Sequence, residues 1–489
     1  MSLDDFSDFV AHSRQHFEEG LIRAGFIEHD TGWIGSIAHQ NGPTDVILTL
    51  PSRFPFKPPR VVPTDSDAVP WSWHRERDGA LCLVADDDHP DLWWTEADAF
   101  RGHIAAWFEN SDRGWIADRP DLDLDRYFKP AEDTNLYLYG DLDEYRNSLV
   151  RFVRAPNNTM RLAGKGTRPA KIAKGHLKDL FGYIADLGDV ASPPRNWEDV
   201  AALIDPDVNL ERRIREHSIR LLMLLYNRGS HEGAIVLEVW PSIAGGIEVR
   251  HLQTGADTAA AKSARSGPRA AELNPLRVAI VGVGALGSFI ADVLIRSGVG
   301  HLTLIDGDVV MPGNLVRHLV GPEAVGLPKA TAVKDHLVKA HGVDPSQIDA
   351  QIEAVTAGDA AIDLLRNHDL VVNATADFAI TALFRIAAKA LGTSFLSTAL
   401  QNDGTTFRID VLPPLSGSAS LPDSARSAEK PAVSYFEAGC GSPISPTPPH
   451  AVIEAAAATV RHAVGLLLND PVDLSGEVRD LVPETVPAS

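Results

Sequence analysis

Only two cysteines, Cys82 and Cys440, occur among 489 residues. Two thiols cannot build a disulfide framework or a four-thiolate zinc site. No apolar run approaches the roughly 20 residues that a membrane-crossing helix needs. The opening "MSLDDFSDF" is acidic and lacks a basic stretch followed by an apolar one, so no secretory signal is read there. These absences predict a cytoplasmic protein with reduced thiols. Basic charge is also scarce, with a formal net charge of −21. That balance argues against nonspecific binding to nucleic acid, which needs clustered Lys and Arg to displace counterions. One locally basic segment, Arg154 to Lys178, reads as a solvated loop or as a contact for an acidic partner. No repeat at solenoid period is present.

What is present is a soluble composition, 44% hydrophobic and 23% charged, in a chain too long for one core. The spacing of Phe6, Phe9, Val10, Phe17 and Leu21 predicts an amphipathic helix. Two strand-like runs, "GWIGSIA" and "TDVILTLP", flank the turn signal "HQNGP". The proline-rich "SRFPFKPPRVVPT" reads as extended, and "EADAFRGHIAAWFENS" reads as a helix. In the middle, "RRIREHSIRLLMLLYN" reads as helical, with "GAIVLEVWP" and "GGIEVRHL" as strands. Residues 254–274 read as a linker, residues 412–433 as a long loop, and Ala451 to Leu468 as a helix. The expected domains are 1–130, a middle region 131–267 and 268–489.

From Leu276 onward, "LRVAIVGVGALGSFIADVLIRSGVGHLTLIDGD" is an apolar strand, a glycine turn, a helix and a second strand ending in Asp306. This is a βαβ unit. Gly282, Gly284 and Gly287 form G-x-G-x-x-G. Such glycines allow a tight turn and let backbone N–H groups approach phosphate. Asp306, about 20 residues on, suits ribose hydroxyls. To this point an NAD-dependent dehydrogenase fits equally well.

The continuation "DGDVVMPGNLVRHLVGPEAVGLPKA" holds Asp306, Asp308, Asn314, Arg317 and Lys329. Its order D-x-D, N-L-x-R, P-K resembles the ThiF/MoeB/ubiquitin-activating superfamily, whose members adenylate a protein C-terminus. Lys329 lies one residue closer to Arg317 than in the family pattern. A guanidinium and an ammonium suit a triphosphate. The resemblance implies that Arg317 and Lys329 contact the ATP phosphates, that Asn314 helps to position them, and that Asp377 in "NATADF" helps to hold Mg2+. The other role open to Asp377 is a helix N-cap. The paired CxxC motifs of many family members are missing, which sets the chain apart from the sulfur-carrier branch. Ubiquitin activators also use a cysteine to take the acyl group from AMP, and the resemblance gives Cys440 that role.

Nearer the start, "FPFKPPRVVPT" resembles the YPFxPPxV signature of ubiquitin-conjugating domains, and "DGALCL" resembles their G-x-I-C-L element. Trp93 and Trp94 stand near the tryptophan that follows it. The resemblance implies that Cys82 carries an acyl thioester until a lysine attacks; the alternative is a buried structural thiol. Sulfur suits the task because a thiolate forms readily and a thioester acylates amines. The family's His-Pro-Asn is replaced by "WHRERDG", so His74 or His89 becomes the candidate polar group near the thioester.

The expected fold is multidomain α/β: an N-terminal α+β ubiquitin-conjugating-like domain, a middle α/β linker region and a C-terminal Rossmann-like ThiF adenylation domain. The expected reaction uses ATP and Mg2+ to adenylate a protein C-terminus. The acyl group then passes to Cys440, to Cys82, and to a target lysine. The fusion order resembles bacterial anti-phage (CBASS) systems in which a cGAS/DncV-like nucleotidyltransferase (CD-NTase) is the donor. A bacterial ubiquitin-like protein is the alternative donor. A degenerate scaffold that holds ATP as a structural ligand, or an NAD-dependent oxidoreductase, are alternatives of other classes. The resemblance also implies a homodimer through the adenylation domain.

Overall fold

The computed structural model describes residues 3–84, 91–115, 123–167, 179–228, 231–422 and 447–481. The chain folds as two compact units, Met1–Thr258 and Ala259–Ser489.

The first unit begins with helix α1 (Leu3–Arg23). Four antiparallel strands follow: β1 (Ile27–His29), β2 (Gly32–His39), β3 (Gly42–Thr49) and β4 (Arg60–Pro63), each paired with the next. The expected hairpin is β2–β3, in which His39 faces Gly42. Helix α2 (Ala97–Asp112) closes the core through Phe100, Ile104 and Phe108. Of the apolar positions on α1, Phe17 and Leu21 are fully buried, while Phe6 and Phe9 lie exposed beside Phe56. Burying one such side chain contributes about 1.5–3 kcal/mol.

The rest of this unit corrects the expectation of a middle α/β region, because it is mainly β. Strands β5 (Leu136–Tyr139), β6 (Ser148–Ala155), β7 (Thr159–Lys165), β8 (Leu180–Asp189), β9 (Leu221–Arg228), β10 (His231–Pro241), β11 (Ile247–Leu252) and β12 (Thr254–Ala256) form one sheet. Short helices α3 (Trp197–Ala202) and α4 (Leu210–Arg215) lie between β8 and β9. The strand order is β11-β10-β9-β8-β6-β7-β5-β12. Its two ends, β11 and β12, belong to one stretch of chain, which pairs with β10 through β11 and with β5 through β12 and so joins the two edges of the sheet. The Val236 N–H on β10 donates to Thr254 Oγ1 on β12 across the closure, at 3.0 Å. Tyr137, Phe152, Ile184, Met223 and Val236 share one core, and the opposite face packs a second core around Trp73, Tyr127, Trp197 and Leu224.

Two other expectations change here. The run Leu221–Tyr226 is a strand, not the continuation of a helix. Leu221, Met223 and Leu225 enter one core and Leu222, Leu224 and Tyr226 the other. A strand buried on both faces reads as a continuous apolar run, which periodicity cannot separate from a buried helix. The basic segment after Arg154 is not a plain loop. It forms the β6–β7 hairpin, whose turn has Asn157 and Asn158 at φ 60° and 54°. Its remainder, 168–178, lies outside the described residues. In the expected linker, 254–256 is β12, and two short helices follow, α5 (Ala259–Ser263) and α6 (Ala270–Leu273).

The second unit is a layered α/β fold. In chain order it contains β13 (Arg277–Val281), α7 (Ala285–Arg296), β14 (His301–Ile305), α8 (Lys329–His341), β15 (Ile348–Gln351), α9 (Gly358–Asn367), β16 (Leu370–Asn373) and α10 (Phe378–Leu391). It continues with β17 (Phe395–Gln401), β18 (Thr406–Leu412), α11 (Pro449–Leu467) and β19 (Gly476–Asp480). The sheet order is β15-β14-β13-β16-β17-β18-β19. Its first five strands are parallel, and the last three pair antiparallel. Separate cores cover the two faces. The order reverses between β13 and β16, and ligands of open α/β sheets bind outside the strand ends at such a point. Among the described residues, no helix is long and apolar enough to cross a membrane.

Candidate functional site

The glycine turn lies at that reversal. Gly282 ends β13 with φ +86°, and an added Cβ would come within 2.9 Å of Thr375. Gly287, in the first turn of α7, packs so closely that a Cβ would sit 1.9 Å from the Gly282 carbonyl oxygen. Gly284 differs: nothing lies within 4 Å of its missing Cβ. Two glycines therefore fold the turn, and the third leaves open space at the N-terminus of α7. Backbone N–H groups and the helix dipole favour an anion there.

Hydrogen bonds join the expected residues into one cluster. Asp306 accepts from the Val283 N–H at 2.7 Å and from the Asp308 N–H at 2.9 Å. Its carboxylate thus braces the glycine turn and the start of the next loop. Asp308 pairs with Lys329 Nζ at 2.7 Å, and its carbonyl accepts the Lys329 N–H. The lysine side chain is 14% exposed and the aspartate 76%. Asn314 accepts from the Met311 N–H through Oδ1 at 3.0 Å, and its carbonyl accepts the Arg317 N–H. Arg317 is half-buried. The next residue, His318, is buried and hydrogen-bonds the Val283 carbonyl through Nε2 at 2.9 Å. Burial pushes this imidazole below the ordinary histidine range, and nearby Lys329 adds to the effect.

Asp377 bonds to Thr375, which packs against Gly282 of the glycine turn. The buried Asn373 at the end of β16 accepts from Thr375 Oγ1 at 2.7 Å, and Thr375 Oγ1 accepts the Asp377 N–H at 3.1 Å. Asp377 is the N-cap of α10, accepting from Ala379 and Ile380 through Oδ1 alone. Among the described residues, no group of three or more His, Cys, Asp or Glu side chains is arranged to hold a metal.

In the first unit, Cys82 is half-buried at the end of a tight hairpin. Arg75 pairs with Leu81, the Glu76 N–H donates to the Ala80 carbonyl, and the Cys82 N–H donates to the His74 carbonyl at 2.9 Å. Arg75 is buried behind the hairpin and donates to the carbonyls of Ser66, Val69 and Gly79. Cys82 lines a groove of about 510 Å³ with Pro51, Phe56, Lys57, Arg60, Asp78 and Trp94. Arg60 and Asp78 form an ion pair on its wall. Burial pushes the Asp78 carboxyl up, but Arg60 outweighs it and leaves the group below its ordinary range. Trp94 is fixed by its Nε1–H on the Pro55 carbonyl, and His103 hydrogen-bonds the Leu83 carbonyl at 2.6 Å.

His74 stacks its ring on Trp115 at 3.5 Å and is not among the described residues lining the groove. Its link to Cys82 is through its backbone carbonyl. His89 and Cys440 lie outside the described residues. Sequence reasoning missed Arg75, His103, His318 and the Asn373–Thr375 pair. A polar residue next to a motif position, as His318 is to Arg317, was the available signal.

Residues 261–471 match the ThiF family. Over 70 residues the chain is 54% identical to the uncharacterized protein y4oA of Sinorhizobium fredii, covering 14% of this chain and 12% of that protein. It is 33% identical over 111 residues to the ATP-dependent ubiquitin transferase-like protein Cap2 of Enterobacter hormaechei (23% of this chain, 18% of that one). It is 35% identical over 109 residues to the molybdopterin-synthase adenylyltransferase of Escherichia coli (22% and 43%). The chain thus spans less than half the length of each of these relatives. The second unit of this protein carries a ThiF-family domain, and the glycine turn and its hydrogen-bonded cluster lie within the matched residues.

Proposed function

We propose that the second unit binds ATP and adenylates the C-terminal carboxylate of a partner protein, and that the acyl group then passes by way of Cys440 and Cys82 to a lysine. The observation that carries this reading is the single cluster joining the glycine turn to Asp306, Asp308, Lys329 and the Arg317–His318 pair. Open space above Gly284 gives a phosphate room to approach the backbone. Lys329 and Arg317 supply positive charge for the triphosphate, Asn314 braces the turn that carries Arg317, and Asp306 is available to a ribose. Mg2+, when bound, neutralises phosphate charge. Asp377 would contribute to holding it through the carboxylate oxygen not used in the cap.

The chemistry proceeds in four displacements. A donor carboxylate oxygen attacks the α-phosphorus and pyrophosphate leaves. AMP is a far better leaving group than oxide, so a thiolate can displace it at neutral pH. Transthioesterification then moves the acyl group from Cys440 to Cys82, and a lysine amine displaces the Cys82 thiolate to form an isopeptide bond. Support for the last two steps comes from the half-buried thiol in its groove and from the helix, four-strand meander and helix that frame it, an order that resembles ubiquitin-conjugating domains. The His74 carbonyl and Arg75 hold the segment that presents Cys82. The donor we favour is a CD-NTase of a bacterial anti-phage operon, with a bacterial ubiquitin-like protein as the alternative. A dimer through the second unit accords with this reading.

ATP–pyrophosphate exchange, run with each donor class in turn, tests the first step. Arg317→Ala should reduce exchange at least tenfold. Under non-reducing conditions the donor should form a DTT-labile adduct on the first unit, and Cys82→Ala should abolish that adduct while leaving exchange unchanged. Exchange with neither donor, or the adduct persisting in Cys82→Ala, overturns the corresponding step.

A further inference from the structure

His318 does more in this arrangement than fill space. Its ring is 6% exposed and lies between the glycine turn and the backbone that carries Arg317. Nε2 is 2.9 Å from the Val283 carbonyl, and Nδ1 is 3.4 Å from the Val320 N–H. A carbonyl needs a donor and an N–H needs an acceptor, so the neutral ring protonated on Nε2 satisfies both. Val283 is thereby held at both ends, because Asp306 takes its N–H. The Val283–Gly284 peptide is planar and trans, so its C=O and N–H point in opposite directions. With the carbonyl turned to His318, the Gly284 N–H points away from the ring, and the space beside the Gly284 Cα is open. The neighbouring Leu319 N–H donates to the buried Ser288 Oγ on α7 at 3.3 Å, tying the same backbone to the same helix. Around the ring, Lys329 and His336 oppose a charge on the imidazole and Asp306 favours one.

We propose that His318 is a positioning residue for the nucleotide: its Nε2–H fixes the Val283 carbonyl, aims the Gly284 N–H at a phosphate, and holds Arg317 in register with the glycine turn. The assignment rests on the ATP reading above.

Two substitutions in the full-length protein separate this role from simple packing. Gln can place an amide N–H near the position of Nε2, whereas Asn is one methylene too short to reach the Val283 carbonyl. ATP affinity is measured by calorimetry, KM and kcat by pyrophosphate exchange, and folding by thermal melting. His318→Asn should raise Kd and KM for ATP roughly five- to tenfold, as expected for a lost hydrogen bond near a charged ligand, with kcat changed less than twofold. His318→Gln should restore both to within about twofold of wild type. A folded His318→Asn that binds ATP as wild type does, or a His318→Gln as impaired as Asn, overturns the assignment while leaving the ATP reading intact. A wild-type chain that does not bind ATP overturns both.

Discussion

At the scale of single residues, backbone geometry constrains the glycine turn more tightly than charge does. Gly287→Ala drives a methyl into the Gly282 carbonyl, which as backbone has little room to yield. The expected cost is about 1–3 kcal/mol of stability in the second unit, together with weakened ATP binding. Differential scanning calorimetry with and without ATP checks this, and an unchanged trace would contradict it. Gly284→Ala, with open space at the same atom, should be milder for folding. The G-x-G-x-x-G pattern was legible in the sequence because glycine spacing is set by local backbone demands. Which of the three glycines faces open space was not, since Gly282 is packed against Thr375, about ninety residues away.

At the scale of elements, the β2–β3 hairpin is clamped to α2 by one histidine. His39 is 2.7 Å from Asp112 through Nδ1 and 2.8 Å from Thr44 Oγ1 through Nε2, and it stacks on Phe108. Burial pushes Asp112 up, but hydrogen bonds from His39 and from the Asn41 N–H outweigh it and leave the carboxyl below its ordinary range. A carboxylate with a depressed folded-state pKa stabilises above its unfolded value, about 3.9, and that contribution disappears as pH falls through the folded value. His39→Ala should cost about 2–3 kcal/mol at neutral pH, through the lost stack and two hydrogen bonds. Hydrogen exchange of the β2–β3 amides should accelerate accordingly, and unchanged protection would refute the clamp. Elements of this kind were readable where turn signals and amphipathic spacing agreed, as in the hairpin and α2. They were not readable in β5 to β9. There, apolar runs feed two cores at once, and apart from the β6–β7 and β9–β10 hairpins the pairing partners lie far along the chain.

For the whole molecule, three histidines, one buried and two half-buried, share one direction of shift. Burial pushes His251 in the first unit, and His318 and His368 in the second, below the ordinary histidine range. The unfolded chain, with pKa near 6.5, then binds protons that the folded chain refuses, so stability rises with pH across that window. The contribution is complete above about pH 6.5 and is lost as pH falls toward the folded values. Melting temperature should therefore drop between pH 7.5 and pH 5.5, and replacing His318 and His368 by Gln should flatten the slope. A slope unchanged in the double variant would refute this account. The joining of the sheet's two edges by its last short strand has a consequence for synthesis. The meander and α2 of the first unit can assemble once residue 112 has left the ribosome, but the seam between β5 and β12 cannot form until residue 256 emerges. A nascent chain stalled before that point carries two raw strand edges, and those edges are what a holdase would have to shield.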